Sequence, residues 1–147
     1  MHATTQHVIL YADDDHDDQQ LIAQAFEHFD ATIKVHPVAN GEEALDYLLR
    51  LSPEDQHPCL IILDINMPKM DGKEALMKIR QSEALHKPPV VLFSTSTSPK
   101  DKDFAAKWNA AFISKPLTFT DLVTIAEAFV KHCDFEIAQK RTLEKAS

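Results

Sequence analysis

Glycine is nearly missing from this chain: of 147 residues, only Gly41 and Gly72. A P-loop or a dinucleotide-binding fingerprint needs clustered glycines so that backbone can approach phosphate closely. Those nucleotide-binding classes are therefore excluded. Cysteine is as scarce, and Cys59 and Cys133 fit neither a CxxC nor a zinc spacing. They read as reduced thiols, Cys59 as a small hydrophobe in a strand. No apolar run approaches the roughly 18 residues that cross a bilayer, and residues 1–7 are too short and polar for a secretory signal. The expectation is a soluble, cytoplasmic protein without membrane insertion. Positive charge is in deficit, with 15 Lys and Arg against 23 Asp and Glu and a net charge of −8. Such a surface repels phosphate backbones, so no nucleic-acid partner is expected.

What is present suits one globular domain over residues 1–147. The apolar fraction is 44%, and a chain of this size buries roughly 68–70% of its unfolded surface. The strongest stretch is Cys59-Leu60-Ile61-Ile62-Leu63-Asp64, followed at once by Ile65-Asn66-Met67-Pro68-Lys69-Met70-Asp71-Gly72. A short apolar run ended by turn residues predicts a strand buried on both faces. Taken alone, Asp64 at its end is either a cap or a reactive carboxylate on rigid scaffolding.

Similar runs recur. Val8–Ala12, Ile33–His36, Pro89–Phe93 and Ala111–Ser114 predict four more strands, with Pro37 placing the second near an edge. Between them, apolar residues fall at helical spacing. Leu21, Ile22, Ala25, Phe26 and Phe29 mark a first helix, capped by Asp17 or a neighbour, and Ala44, Leu45, Leu48 and Leu49 a second, after an Asn40-Gly41 turn. Ala75, Leu76 and Ile79 mark a third, starting near Lys73. Phe104, Ala105 and Trp108 mark a fourth, opened by Ser98-Pro99. Leu122, Ile125, Ala126 and Phe129 mark a fifth, opened by a Thr118/Asp121 capping box. Residues 133–147 read as a helical extension or a mobile tail. Strict alternation predicts an α/β fold: a doubly wound, flavodoxin-like, five-stranded parallel sheet of order 2-1-3-4-5.

In such a sheet the carboxyl ends of the strands share one edge. Asp13 and Asp14 follow strand 1, Asp64 ends strand 3, Ser94 follows strand 4 and Lys115 ends strand 5. Three clustered carboxylates raise one another's pKa unless a cation sits among them. Carboxylate oxygens with a backbone carbonyl and waters are what Mg2+ accepts. A carboxylate beside Mg2+, facing an ammonium and a hydroxyl, is arranged to take or hold a phosphoryl group.

These residues carry a family resemblance. Asp13-Asp14, the Leu-Asp-Ile-Asn-Met-Pro-Lys-Met-Asp-Gly run around Asp64, Ser94-Thr95 and Lys115-Pro116 resemble the receiver domain of two-component response regulators, over about residues 7–132. The resemblance implies that Asp64 accepts phosphate from the phosphohistidine of a histidine kinase or a histidine phosphotransfer protein. It implies that Asp13, Asp14, Asp64 and the Asn66 backbone carbonyl hold Mg2+. Ser94, with Thr95 beside it, and Lys115 bind the phosphoryl oxygens, and the Lys115–Pro116 bond is cis. It further implies a switch through Ser94 and Phe112 that alters contact with a downstream protein, and a water entrance lined by Asn66 and Ser96. Four positions depart from the family's usual residues: Ser94 for Thr, Phe112 for Tyr, and Trp108-Asn109 for Gly-Ala.

Three rivals carry less. Asp13, Asp15 and Asp17 imitate a calcium loop, but Asp18 stands where glycine is needed and Gln24 where glutamate is. A haloacid-dehalogenase-type phosphatase needs a second acid two residues after its nucleophile, and that position is Asn66. A receiver-shaped module that is never phosphorylated would have lost the acceptor or an acidic partner, and neither is missing. No enzyme activity is expected beyond the protein's own phosphorylation and dephosphorylation.

Overall fold

In the computed structural model, the apolar runs form strands and the amphipathic segments pack over them. Described are residues 7–30, 32–85, 88–95, 98–115 and 118–129. Elements alternate along the chain as β1 (His7–Ala12), α1 (His16–Phe29), β2 (Ile33–Val38), α2 (Gly41–Arg50), β3 (Leu60–Asp64), α3 (Gly72–Gln81), β4 (Val90–Ser94), α4 (Pro99–Lys107) and β5 (Ala111–Ser114). A further helix, α5, covers residues 119–129. The strands make one sheet of order β2-β1-β3-β4-β5, and every neighbouring pair is parallel. The expected topology is what forms. Among the described residues no helix is long and apolar enough to cross a membrane.

Every residue of β3 and β4 is buried, because helices cover both faces of the sheet and leave no polar side. Side chains alternate across a strand, which sorts the core into two layers. Leu10, Ala12, Leu63 and Leu92 face α2, α3 and α4 through Ala44, Leu48, Ala75, Leu76, Ile79 and Ala105. Ile9, Tyr11, Ile62 and Phe93 face α1 and α5 through Ile22, Ala25, Phe26, Leu122, Ala126 and Phe129. The second layer is tied by aromatics, with Phe129 stacked on Phe26 at 5.9 Å and edge-on to Phe93 at 6.2 Å. Each such fully buried ring contributes about 1.5–3 kcal/mol relative to exposure.

Helix starts follow from capping chemistry. Asp15 caps α1, accepting from the backbone N–H groups of Asp17 and Asp18, and so is the neighbour that takes this role. Asp71 caps α3 by accepting from Glu74 N–H, and Thr118 Oγ1 accepts from Asp121 N–H at 3.2 Å. Pro99 opens α4 behind Ser98. Trp108-Asn109 builds the turn before β5 without glycine. Asn109 takes the left-handed conformation at φ 56°, while Ala110 N–H reaches Ala105 O and Asn109 N–H reaches Ala106 O. This is a Schellman ending, whose left-handed position is usually glycine and sometimes, as here, asparagine.

Four expectations need correction. Leu21 and Phe29 are exposed, because the helix buries only the narrow stripe of Ile22, Ala25 and Phe26. Leu49 is 58% exposed; it lies around the helix from Ala44 and Leu48. Asn40-Gly41 is not a free turn: Asn40 caps α2 and Gly41 is its first residue, pressed against the Met70 carbonyl. Cys59 is disulfide-bonded rather than a reduced thiol; the chain's other cysteine, Cys133, lies outside the described residues.

Candidate functional site

Alternation on the strands decides which polar residues meet. Asp13 shares the parity of Ile9 and Tyr11, Asp64 that of Leu60 and Ile62, and Lys115 that of Ile113. All three therefore lean to the α1/α5 side of the sheet's carboxyl edge. Register completes the placement, with Ala12 opposite Leu63, Asp64 opposite Phe93 and Phe93 opposite Ile113.

Lys115 is the centre of the cluster. Its Nζ donates to Asp13 Oδ2 at 2.8 Å, to Asp64 Oδ2 at 3.0 Å and to Asp18 Oδ2 at 3.1 Å. An ammonium has three protons, so all are engaged. The same Nζ lies over the Phe93 ring, 5.7 Å from its centroid. The backbone that delivers it is anchored by Lys115 N–H to Ser94 O at 2.8 Å.

Asp13 is fully buried and Asp64 nearly so. Asp13 accepts from the Tyr11 hydroxyl at 2.5 Å and from Asp15 N–H at 3.0 Å. Its own carbonyl is held by Gln19 Nε2, which also bonds Val38 O. Asp64 Oδ1 accepts one long bond from Asn66 N–H at 3.3 Å. Asp14 is exposed on the solvent side. One oxygen from each of Asp13, Asp14 and Asp64 can be chosen so that all three lie within 4.8 Å of one another.

The two buried carboxyls are driven apart in acidity. Burial pushes Asp64 up to about 6, with Asp13 adding to that and Lys115 only partly opposing it. Burial alone would also raise Asp13, but hydrogen bonds from Lys115, Tyr11 and Asp15 outweigh it and hold Asp13 below the usual carboxylate range. Burial would lower Lys115, yet its bonds and charge contacts with Asp13 and Asp64 keep it raised and charged. Burial, then Asp13, raises the Tyr11 hydroxyl, which stays a neutral donor. Three hard oxygen donors around an under-neutralised carboxylate fit a small divalent cation.

The remaining expected residues sit around this core. Ser94 ends β4, fully buried, on the opposite parity from Asp64. It faces the α2–α4 side with Leu92, whose register partner is Phe112. Phe112 is half-buried and packs against that same layer. Thr95 and Asn66 are exposed beside the cluster. Ser96 and Pro116 lie outside the described residues, and with them the expected cis bond; so does the 133–147 segment.

Three contributors were not anticipated. Tyr11 was read only as a strand residue, although an aromatic hydroxyl two positions before a strand-end acid points to the same face. Asp18 enters the sequence reading only as the residue at a calcium loop's glycine position, and Gln19 carries no signal. Only the docking of α1 brings the last two to the site.

Similarity to known proteins agrees with this geometry. The family described as "Response regulator receiver domain" matches residues 9–127. The probable methanogenesis regulatory protein FilR2 of Methanothrix harundinacea (strain 6Ac) is 37% identical over 122 residues, covering 82% of this chain and 79% of its own length. Among solved structures, the phosphorylated cyanobacterial phytochrome response regulator RcpA superposes with a TM-score of 0.75 at 30% identity, over 84% of this chain and 91% of that one. The Mn(2+)-bound form of response regulator Rcp1 gives 0.72 at 26% identity, over 83% and 90%. With sheet order, acidic cluster and lysine all in place, the chain belongs to the receiver-domain family of two-component response regulators.

Proposed function

We propose that Asp64 is the phosphoacceptor, taking a phosphoryl group from the phosphohistidine of a histidine kinase or histidine phosphotransfer protein. The observation that carries this reading is the single ammonium of Lys115 shared between buried Asp13 and Asp64, beside exposed Asp14. An Asp64 oxygen attacks phosphorus, the new O–P bond forms as the P–N bond breaks, and the donor imidazole keeps the electron pair. Lys115 redirects one of its three N–H donors to the charge on the phosphoryl oxygens. The Ser94 hydroxyl, with Thr95 beside it, supplies a further hydrogen bond.

Asp13, Asp14, Asp64 and the Asn66 backbone carbonyl would hold Mg2+, which supplies positive charge against the phosphoryl oxygens. The Mn(2+)-bound form of Rcp1 supports a divalent ion in this fold; the preference for Mg2+ rests on the small, all-oxygen donor set. Asn66, and by the family resemblance Ser96, would control access of the water that later hydrolyses the acyl phosphate.

The switch runs through Ser94 and Phe112, which lie on one face of neighbouring strands. As Ser94 moves toward the phosphoryl group, Phe112 turns inward and reshapes the α4–β5–α5 surface for a downstream protein partner. The whole reading needs no activity beyond the protein's own phosphorylation and dephosphorylation, and suits a cytoplasmic signalling protein.

Incubation with Mg2+ and acetyl phosphate, followed by intact mass measurement, tests the acceptor. A single phosphoryl increment is expected, lost in Asp64→Asn and on chelation with EDTA. Undiminished uptake by Asp64→Asn would assign the phosphate elsewhere.

A further inference from the structure

We infer that Asp18 competes with the phosphoryl group for Lys115, and so sets how readily the site accepts phosphate. This rests on the phosphoacceptor reading above and adds a positioning residue to it. The Lys115 ammonium has three protons, and Asp13, Asp64 and Asp18 take all of them. A phosphoryl oxygen that is to bind Lys115 must displace one of these partners. Asp13 is fully buried and further held by Tyr11 and the Asp15 amide, so it is the hardest to displace. Asp64 is the nucleophile in the reaction and stays at the reacting centre. Asp18 is the weakest: its distance is the longest of the three, and its side chain is 38% exposed against 0% and 9% for the others.

The position of Asp18 also fits a movable partner. It belongs to the first turn of α1, where its backbone N–H is already fixed by the Asp15 cap at 3.2 Å. Its side chain can therefore swing into solvent without loosening the helix start. Until it does, its carboxylate occupies a donor direction that the phosphoryl group needs, and its charge repels the incoming dianion. Asp18 thus acts as an internal anionic place-holder on the lysine.

The test compares Asp18→Asn with Asp17→Asn in the full chain. Asp17 removes the same charge from the same exposed turn, while Lys115's ion pairs among the described residues are with Asp13, Asp18 and Asp64. Initial phosphoryl incorporation from acetyl phosphate with Mg2+ is followed by intact mass, and affinity for beryllium fluoride, a phosphoryl mimic, by calorimetry. Asp18→Asn is expected to raise both by about threefold to fivefold, the span of a half-exposed ion pair. Asp18→Glu should restore wild-type behaviour, and Asp17→Asn should differ from wild type by clearly less than Asp18→Asn. Equal effects of Asp17→Asn and Asp18→Asn would reduce the contact to general charge and overturn the inference. So would a slower Asp18→Asn. Should Asp18→Asn fail to fold, Asp18→Ser carries the same comparison. Wild-type protein that takes up no phosphoryl group would retire the acceptor reading, and this inference with it.

Discussion

Asp64 and Asp13 share one ammonium yet are pushed in opposite directions. Asp13 collects hydrogen bonds from three donors, whereas Asp64 has Lys115 and one long amide bond. Ionised Asp64 is therefore the costly charge in the metal-free protein. Its pKa rises from 3.8 to about 6 on folding, so the folded state binds a proton more tightly than the unfolded chain. The stability from that proton is complete below the unfolded value and is lost as pH rises through about 6. In EDTA at pH 7, Asp64→Asn should therefore stabilise the protein by about 1–3 kcal/mol. The gain should shrink steadily below pH 6, as wild-type Asp64 protonates. Urea unfolding across pH 4–8 reads both arms, and a gain that grew on acidification would contradict the assignment.

Among the elements, β3 and α3 meet at a junction with no room for a Cβ. A Cβ on Gly72 would collide with the backbone carbonyl of Asp64, where neither group is a flexible side-chain end. Gly72→Ala is expected to cost about 1–3 kcal/mol and to slow phosphoryl uptake, because it displaces the carbonyl end of Asp64, the proposed acceptor. A normal rate in a destabilised variant would show that the loop relaxes away from Asp64. Gly41 serves a similar close approach, its Cα facing the Met70 carbonyl and its N–H bonding it at 2.9 Å. Two glycines thus sit where helices press on the loop that follows Asp64.

On the opposite edge of the sheet, Arg80 of α3 ties two connections together. Its guanidinium donates to Trp108 O at 3.0 Å, Pro88 O at 2.9 Å and Asn109 O at 2.9 Å. It thereby closes the Schellman turn that replaces the glycine expected there. Arg80→Ala should cost about 1–3 kcal/mol through carbonyls left unbonded. Arg80→Lys should recover less than half of that, because a point charge cannot span a three-carbonyl fork. Thermal unfolding of both variants checks this, and equal rescue by lysine would reduce Arg80 to a simple charge. Nothing in the sequence marked Arg80, since an arginine on a helix face ordinarily points to solvent.

For the molecule as a whole, net charge and site charge act together. With Asp13, Asp14 and Asp64 converging in a chain of net charge −8, a divalent cation should bind the folded state far better than the unfolded one. Mg2+ or Mn2+ should raise the melting temperature with the logarithm of its concentration, worth about 2.7 kcal/mol at a hundredfold excess over Kd. Asp13→Asn should remove most of that shift, whereas an equal loss of shift on replacing exposed Asp103 would indicate nonspecific screening.

Much of this is legible in the sequence. Alternation of buried apolar runs with helically spaced segments determined a parallel sheet, and the order 2-1-3-4-5 suited five strands in a chain of this length. Strand-end positions determined that Asp13, Asp64, Ser94 and Lys115 would share an edge. The tertiary structure decided what happens there. Register and parity put Asp13, Asp64 and Lys115 on the α1/α5 side and Ser94 on the other, and the docking of α1 brought Asp18 to the lysine. Residues 97 positions apart become ion-pair partners only through packing, and pattern along the chain holds no distance of that kind.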